Sequence, residues 1–336
     1  MKVLVTGANG FLGRYVVEQL AARGDAVRGL YRTVPSEPVA GVEQVFGDIA
    51  DRAAVGAACR GVDAVIHTAA TAGIWGPWNL FHTTNVVGTR NVVDGCREQG
   101  VPRLVFTSSP SVTFDGRPQR NVDETAPYPR RWLGFYSQTK AEAERLTLAA
   151  HEAGRLHTCA LRPHLIWGPR DRHLIPRLLD RARRGQLQRV GRGENLIDIT
   201  YVDNAASAHL AAVDRLAESG PLGGRAYFIS QGEPVDCWSW IDEILRRAGL
   251  PNVRRSISPA AAYSAGAVLE GVWKTFRLGG EPRMTRFLAL QLSTDHYFDI
   301  GAARRDLGYV PQVSTPQGME RLGAWLSATT GGSRPS

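Results

Sequence analysis

Tyr136 and Lys140 stand four residues apart, a spacing that sets both side chains on one face of a helix. An ammonium beside a phenol favours the phenolate, drawing a group that ionises near pH ~10 toward a useful range. A tyrosine tuned in this way can protonate a carbonyl oxygen during reduction, or recover the proton in the oxidative direction. With nine tyrosines and three lysines in 336 residues, chance gives this pairing in roughly one chain in twelve, so the match carries information. Thr107-Ser108-Ser109 follows the apolar run Leu104–Phe106. A hydroxyl at the C-terminal end of a parallel strand lies where such sheets receive ligands, and Ser109 there can hold a carbonyl against Tyr136. A serine pair before Pro110 also reads as a plain turn.

A second constellation opens the chain. Gly7, Gly10 and Gly13 follow the short run Val3–Val5 and lead, through Phe11 and Leu12, into a helical pattern. Gly7 suits a tight turn, Gly10 lets a pyrophosphate approach the backbone, and Gly13 permits close packing of helix on strand. The helix N-terminus would then offer N–H donors to the phosphates. The next strand ends Leu30-Tyr31-Arg32, with no acid to hold an adenosine ribose. Arg32 is placed to pair with a 2′-phosphate, so the expected cofactor is NADP(H), with NAD as the alternative. Asp48-Ile49 lies just past the third strand; Asp48 either contacts the adenine or caps the helix that begins near Asp51.

These groups need a scaffold, and the first 165 residues supply its pattern. Strand-like runs at Val3–Val5, Val27–Tyr31, Val42–Phe46, Val62–Ile66, Leu104–Phe106 and Thr158–Leu161 alternate with helical stretches. The helical stretches run from Phe11 to Leu20, Asn79 to Cys96 and Tyr136 to Ala150. Buried strands alternating with helices imply a doubly wound, parallel Rossmann sheet over residues 1–165. The chain is expected to return to the sheet at about 200–230. Residues 166–199 and 231–326 would form a smaller, mostly helical substrate lobe, and 327–336 a frayed tail. In that lobe Ala265, Val268, Leu269, Val272 and Phe276 form one apolar face of a helix, with Glu270 and Lys274 paired on the other. Such a face either closes a substrate pocket or lies in a membrane interface. Trp75, Trp78, Trp167, Trp238, Trp240 and Trp273 line a pocket or fill the core. Arg130 and Arg131 either hold a substrate carboxylate or lie on the surface.

Composition narrows the class. At 43% hydrophobic and 21% charged residues the chain is that of an ordinary globular protein. The formal charge of +8 comes from scattered arginines rather than a basic stripe, which argues against nucleic-acid binding. It leaves a modest attraction for anionic substrates or a membrane surface. No run approaches the ~18 apolar residues of a membrane span, and the N-terminus lacks a signal-peptide core. Cys59, Cys96, Cys159 and Cys237 are too dispersed for a disulfide framework or a zinc knuckle. The expected compartment is the cytoplasm, with peripheral membrane contact as the alternative, and no metal is expected.

Together these residues resemble the extended short-chain dehydrogenase/reductase family. The resemblance also takes in Thr68-Ala69-Ala70, Asn85-Val-Val-Gly88-Thr89 and Arg162-Pro163, and it covers nearly the whole chain. It implies Ser109, Tyr136 and Lys140 as catalytic residues. It implies cofactor contacts from Gly7, Gly10, Phe11, Leu12, Gly13, Arg32, Asp48, Ile49, Ala69, Ala70, Thr107, Tyr136, Lys140, Pro163 and Leu165. Within the family the chain is most similar to the 3β-hydroxysteroid dehydrogenase branch. That similarity rests on His164-Leu-Ile-Trp-Gly168-Pro169, Asp198-Ile-Thr-Tyr-Val-Asp203-Asn204-Ala205, Thr285-Arg286-Phe287 and the run Ala303 to Tyr309. Ala72-Gly73-Ile-Trp75-Gly76 and Gly280-Glu281-Pro282 resemble the bacterial 2-alkyl-3-oxoalkanoate reductases of long-chain olefin synthesis. The resemblance thus implies reduction of a large apolar keto acid, and a homodimer joined through the Asn79–Cys96 and Tyr136–Ala150 helices. A steroid dehydrogenase, a nucleotide-sugar epimerase or dehydratase, and a dinucleotide-sensing binding protein are the competing readings.

Overall fold

The computed structural model describes residues 1–216 and 222–331. Its centre is a seven-stranded, wholly parallel sheet of β1 (Lys2–Thr6), β2 (Ala26–Tyr31), β3 (Glu43–Phe46), β4 (Ala64–His67), β5 (Arg103–Thr107), β6 (His157–Pro163) and β7 (Arg225–Ile229). The strand order is β3-β2-β1-β4-β5-β6-β7. The order reverses between β1 and β4, so a crevice opens at the C-terminal ends of those two strands, where open α/β sheets take ligands. The register puts Thr6 beside His67 and Thr107 beside Leu161, which levels the ends that border the crevice.

Strands this apolar must be covered on both faces. On one face lie α1 (Phe11–Ala22) and α7 (Val202–Arg215), whose Val16, Val17, Leu20, Ala205 and Val213 share a core with Val3 and Val5. On the other lie α2 (Arg52–Cys59), α3 (Trp78–His82), α4 (Gly88–Glu98) and α5 (Phe135–Ala149). Each fully buried side chain of this kind, such as Leu4 or Val65, stabilises the fold by about 1.5–3 kcal/mol. The helical pattern read from Asn79 to Cys96 is one continuous rod with a π turn at Thr83–Val87.

The second lobe has its own core and a small four-stranded sheet of Val235–Asp236, Leu196–Ile197, His296–Phe298 and Gln119–Val122, in that order. Its helices are α6 (Leu174–Arg183), α8 (Cys237–Arg247), α9 (Pro259–Thr275), α10 (Arg286–Gln291) and α11 (Thr315–Gly331). Trp167, Trp238 and Trp240 are buried in this core. Periodicity missed α11, and the tail expected to fray from Ser327 continues that helix to Gly331, while residues 332–336 lie outside the described part. The Glu270–Lys274 pair does not form. Glu270 is on the buried side of α9 with Ala262 and Gly266, bonded to Arg286, while Lys274 lies over the Trp75 ring.

Candidate active site

The glycine loop is shaped by contact. Gly7 has φ +67°, and a Cβ there would come within 2.8 Å of the Ala69 backbone. A Cβ at Gly13 would stand 2.2 Å from the Gly7 carbonyl oxygen, so the α1 helix presses onto the turn itself rather than onto a strand. The Gly10 N–H closes the turn on the same oxygen at 2.8 Å. Gly10 caps α1 without a side chain, and the first turn carries no acid, so the helix N-terminus keeps its donors for an anion. Gly10 is exposed, Phe11 half-buried and Leu12 buried. This is the shape a dinucleotide pyrophosphate requires.

Around the loop, Arg32 is exposed just past β2, and among the described residues none bonds to it. Asp48 is exposed, and among the described residues its Oδ1 accepts only the Ala50 N–H, at 2.9 Å. The α2 cap is Asp51, which accepts from Ala53 and Ala54, so the capping reading of Asp48 is corrected and its side chain stays open to a ligand. Ile49 is buried against Gly88, where a Cβ would stand 2.5 Å from its Cδ1. Ala69 and Ala70 leave β4 beside Gly7, with the Ala69 N–H on Thr6 Oγ1 at 3.3 Å. Pro163 ends β6, and Leu165 follows at φ +42°.

Ser109, Tyr136 and Lys140 converge at the ends of β5 and α5. The Ser109 side chain is close enough to the Tyr136 phenol to draw its pKa down against burial; its hydroxyl meets Ser111 Oγ at 3.0 Å and caps the short turn Pro110–Val112, so the turn reading holds. Lys140 donates its Nζ to the Thr107 carbonyl and lies 4.0 Å from the Phe106 ring centre. The expectation that this ammonium lowers the Tyr136 pKa is not met. Burial raises the phenol, Ser109 alone opposes it, and the ammonium is aimed at Thr107. Burial also drops Lys140 to about 7, against a partial upward pull from Glu144.

Three further groups, His209, His67 and Glu144, hold this cluster, and none of them was singled out from the sequence. His209 of α7 donates Nδ1–H to the Ala205 carbonyl at 2.7 Å, so its Nε2 accepts the Thr107 hydroxyl at 2.8 Å. His67 is fixed by the same reasoning: Thr89 Oγ1 already donates to Asn85, so His67 donates Nε2–H to Thr89 and accepts from Thr6. Burial holds both imidazoles neutral, at about 4 and about 3. Beneath Lys140, Glu144 accepts from Arg162 Nε at 3.0 Å, Arg162 Nη2 at 2.6 Å and the Tyr128 hydroxyl at 2.6 Å. The helical spacing of Lys140 and Glu144 was open to inspection. The partner on β6 was not.

Comparison with known proteins decides the lineage. Residues 4–258 match the 3-beta hydroxysteroid dehydrogenase/isomerase family. The chain belongs to this family. It is 48% identical, over 98% of its length and all of the relative's, to a 2-alkyl-3-oxoalkanoate reductase of Stenotrophomonas maltophilia (strain K279a). It is 34% identical to the decarboxylating sterol-4-alpha-carboxylate 3-dehydrogenase of Homo sapiens, covering 94% of this chain and 86% of that one. Among solved structures, gox2253 superposes with a TM-score of 0.78 at 27% identity, over 97% and 98% of the two chains. A dTDP-glucose 4,6-dehydratase double mutant from Streptomyces venezuelae, with NAD and DAU bound, shares the fold at a TM-score of 0.76, with 24% identity over 98% of each chain. This family member is therefore an NAD(P)-dependent oxidoreductase of the extended short-chain type, acting between CH–OH and keto groups. No helix among the described residues is long and apolar enough to cross a membrane.

Proposed function

We propose that this enzyme reduces the ketone of a long-chain 2-alkyl-3-oxoalkanoate to the 3-hydroxy acid, using NADPH. The observation that carries the reading is the convergence of Ser109, Tyr136 and Lys140 at the strand ends that border the glycine loop. The loop and the α1 N-terminus would hold the pyrophosphate, Arg32 the 2′-phosphate, and Asp48 with Ile49 the adenine side. Ala69, Ala70, Thr107, Pro163 and Leu165 would border the rest of the dinucleotide, whose nicotinamide supplies the hydride. Ser109 orients the substrate carbonyl, and Tyr136 releases its phenolic proton to the carbonyl oxygen as negative charge develops there. Lys140 has two N–H groups beyond the one on Thr107, and they would bind the nicotinamide ribose. In this reading residues 166–199 and 231–326 close over the substrate, and Arg130 and Arg131, both exposed, meet its carboxylate.

A sterol carboxylate is the second reading, because the names of both relatives put a carboxylate on the carbon adjacent to the reacting C3. A homodimer through α4 and α5 is part of the proposal, supported by exposed Leu80 and Phe135 near the ends of that helix pair. A cytoplasmic setting is supported by four buried cysteines without a disulfide. The test follows reduced-nicotinamide absorbance while the 3-hydroxy acid is oxidised, since β-keto acids decarboxylate on standing. Absorbance should grow with NADP⁺ and far less with NAD⁺. Arg32→Ala should cost NADPH about 1.5–3 kcal/mol and leave NADH unchanged. Substrate conversion without an absorbance change, or a wild type that prefers NADH, overturns the corresponding part.

A further inference from the structure

The chain passes from the sheet into the second lobe at residues 168–175, and this crossing is fastened to α1, the helix that the glycine loop opens. The Tyr15 hydroxyl donates to the Pro169 carbonyl at 3.0 Å. Arg170 lies 4.2 Å over the Tyr15 ring and forks Glu18, with Nη1 and Nη2 at 2.6 and 2.8 Å from its two oxygens. The Arg170 backbone stands at φ +65°, a left-handed conformation that a residue with a side chain keeps only where its surroundings hold it. Glycine would make the same turn without strain, so the guanidinium is what this position supplies. The next residue, Asp171, is buried and accepts the backbone N–H groups of His173, Leu174 and Ile175 at 2.8, 3.2 and 2.8 Å. It therefore holds the first turn of α6, whose Ile175 and Leu179 enter the core of the second lobe. At the other end of the row, the Phe11 ring meets Tyr15 edge-on at 6.0 Å.

We propose that Arg170 is a positioning residue, which carries the ordering of α1 by a bound dinucleotide to the first turn of α6. Folding stability is a poor account of the clamp. The Arg170 and Glu18 side chains are 34% and 31% exposed, and pairs this open to water add little to stability, while the strained φ subtracts from it. What a two-pronged contact fixes is direction. A dinucleotide whose pyrophosphate occupies the N-terminus of α1 restrains Phe11 and the start of the helix. Through Tyr15 and the fork on Glu18 it restrains the entry to the second lobe as well. The inference rests on the reading of α1 as the dinucleotide helix, and not on the identity of the ketone.

The experiment is amide hydrogen exchange of the full chain, with and without saturating NADPH or NADH. Mass spectrometry reads the peptide spanning residues 172–179 and, as a control within the same lobe, α8 (Cys237–Arg247). Bound dinucleotide should slow exchange in 172–179 at least about fivefold more than in α8. Arg170→Gln should remove that difference while dinucleotide affinity, read by fluorescence titration, stays within about threefold of wild type. Arg170→Gly, which also relieves the backbone, should do the same. Arg14→Gln removes the other guanidinium on Glu18, whose second partner is Glu37, and should keep the difference. A wild type that binds dinucleotide without extra protection in 172–179 overturns the proposal, and so does either Arg170 variant that retains the protection. Loss of dinucleotide affinity in step with protection overturns it too, in favour of a direct cofactor contact. A wild type that binds neither dinucleotide refutes the cofactor reading and this inference with it; every other outcome leaves that reading standing.

Discussion

Removing the charge from Glu144 tests how much of the active-site scaffold rests on one buried ion pair. Glu144 and Arg162 have side chains only 0% and 4% exposed, and two parallel hydrogen bonds join them. Glu144→Gln would leave a guanidinium that cannot deprotonate without its counter-charge in the interior. Breaking such a pair costs about 3–5 kcal/mol, whereas exposed pairs are worth about 0–1 kcal/mol. Arg52–Glu98, with side chains 65% and 46% exposed, is the internal control. Denaturant unfolding should therefore separate Glu144→Gln from Glu98→Gln by at least about 2 kcal/mol. The sign of the pH dependence follows from the same contacts. Burial raises the Glu144 pKa, but Arg162, with Ser108 and Tyr128, more than reverses this and leaves it below the ordinary value. The contribution is then complete above the unfolded value of ~4.3 and is lost as pH falls through the lower folded value. Glu144→Gln should accordingly flatten the acid limb of the stability profile. Equal costs for the two glutamines, or an unchanged acid limb, would refute the reasoning.

Tyr136→Phe should reduce turnover by about 10²–10⁴-fold while dinucleotide affinity, read by fluorescence titration, stays near wild type; more than about a tenth of wild-type turnover would sink the proton-donor role. Lys140→Met should lower both turnover and dinucleotide affinity yet raise the unfolding midpoint measured without cofactor at neutral pH. Burial depresses this lysine to about 7, so from there up to the unfolded value of ~10.4 the unfolded chain holds the extra proton, and stability from this group rises with pH. A lowered midpoint for Lys140→Met would contradict that sign. Gly13→Ala should abolish dinucleotide binding, because its Cβ would lie 2.2 Å from a backbone oxygen that cannot yield without opening the Gly7 turn; unaltered titration would show that the turn tolerates displacement.

By itself the sequence determined whatever depends on spacing along one element. The strand runs around Val5, Ile66, Val105 and Leu161, the glycine turn before α1, and the four-residue step from Tyr136 to Lys140 are local patterns. Each fixes a backbone geometry within a few residues. The parallel sheet followed from them, because apolar strands separated by helices have few other ways to hide both faces. Family resemblance, too, is carried by such short motifs in order.

Tertiary structure decided everything that needs a partner from a distant segment. Which way the Lys140 ammonium points depends on the Thr107 carbonyl at the end of β5, and the Thr107 hydroxyl in turn depends on His209 of α7. That is why a rule about neighbouring charges mispredicted the shift at Tyr136. The inward turn of Glu270 depended on Arg286 and on the bare surface of Gly266, so a helical wheel assigned it to the wrong side of α9. Burial and hydrogen bonding set these outcomes, and both are properties of what packs against a residue, which the residue's own sequence neighbourhood does not contain.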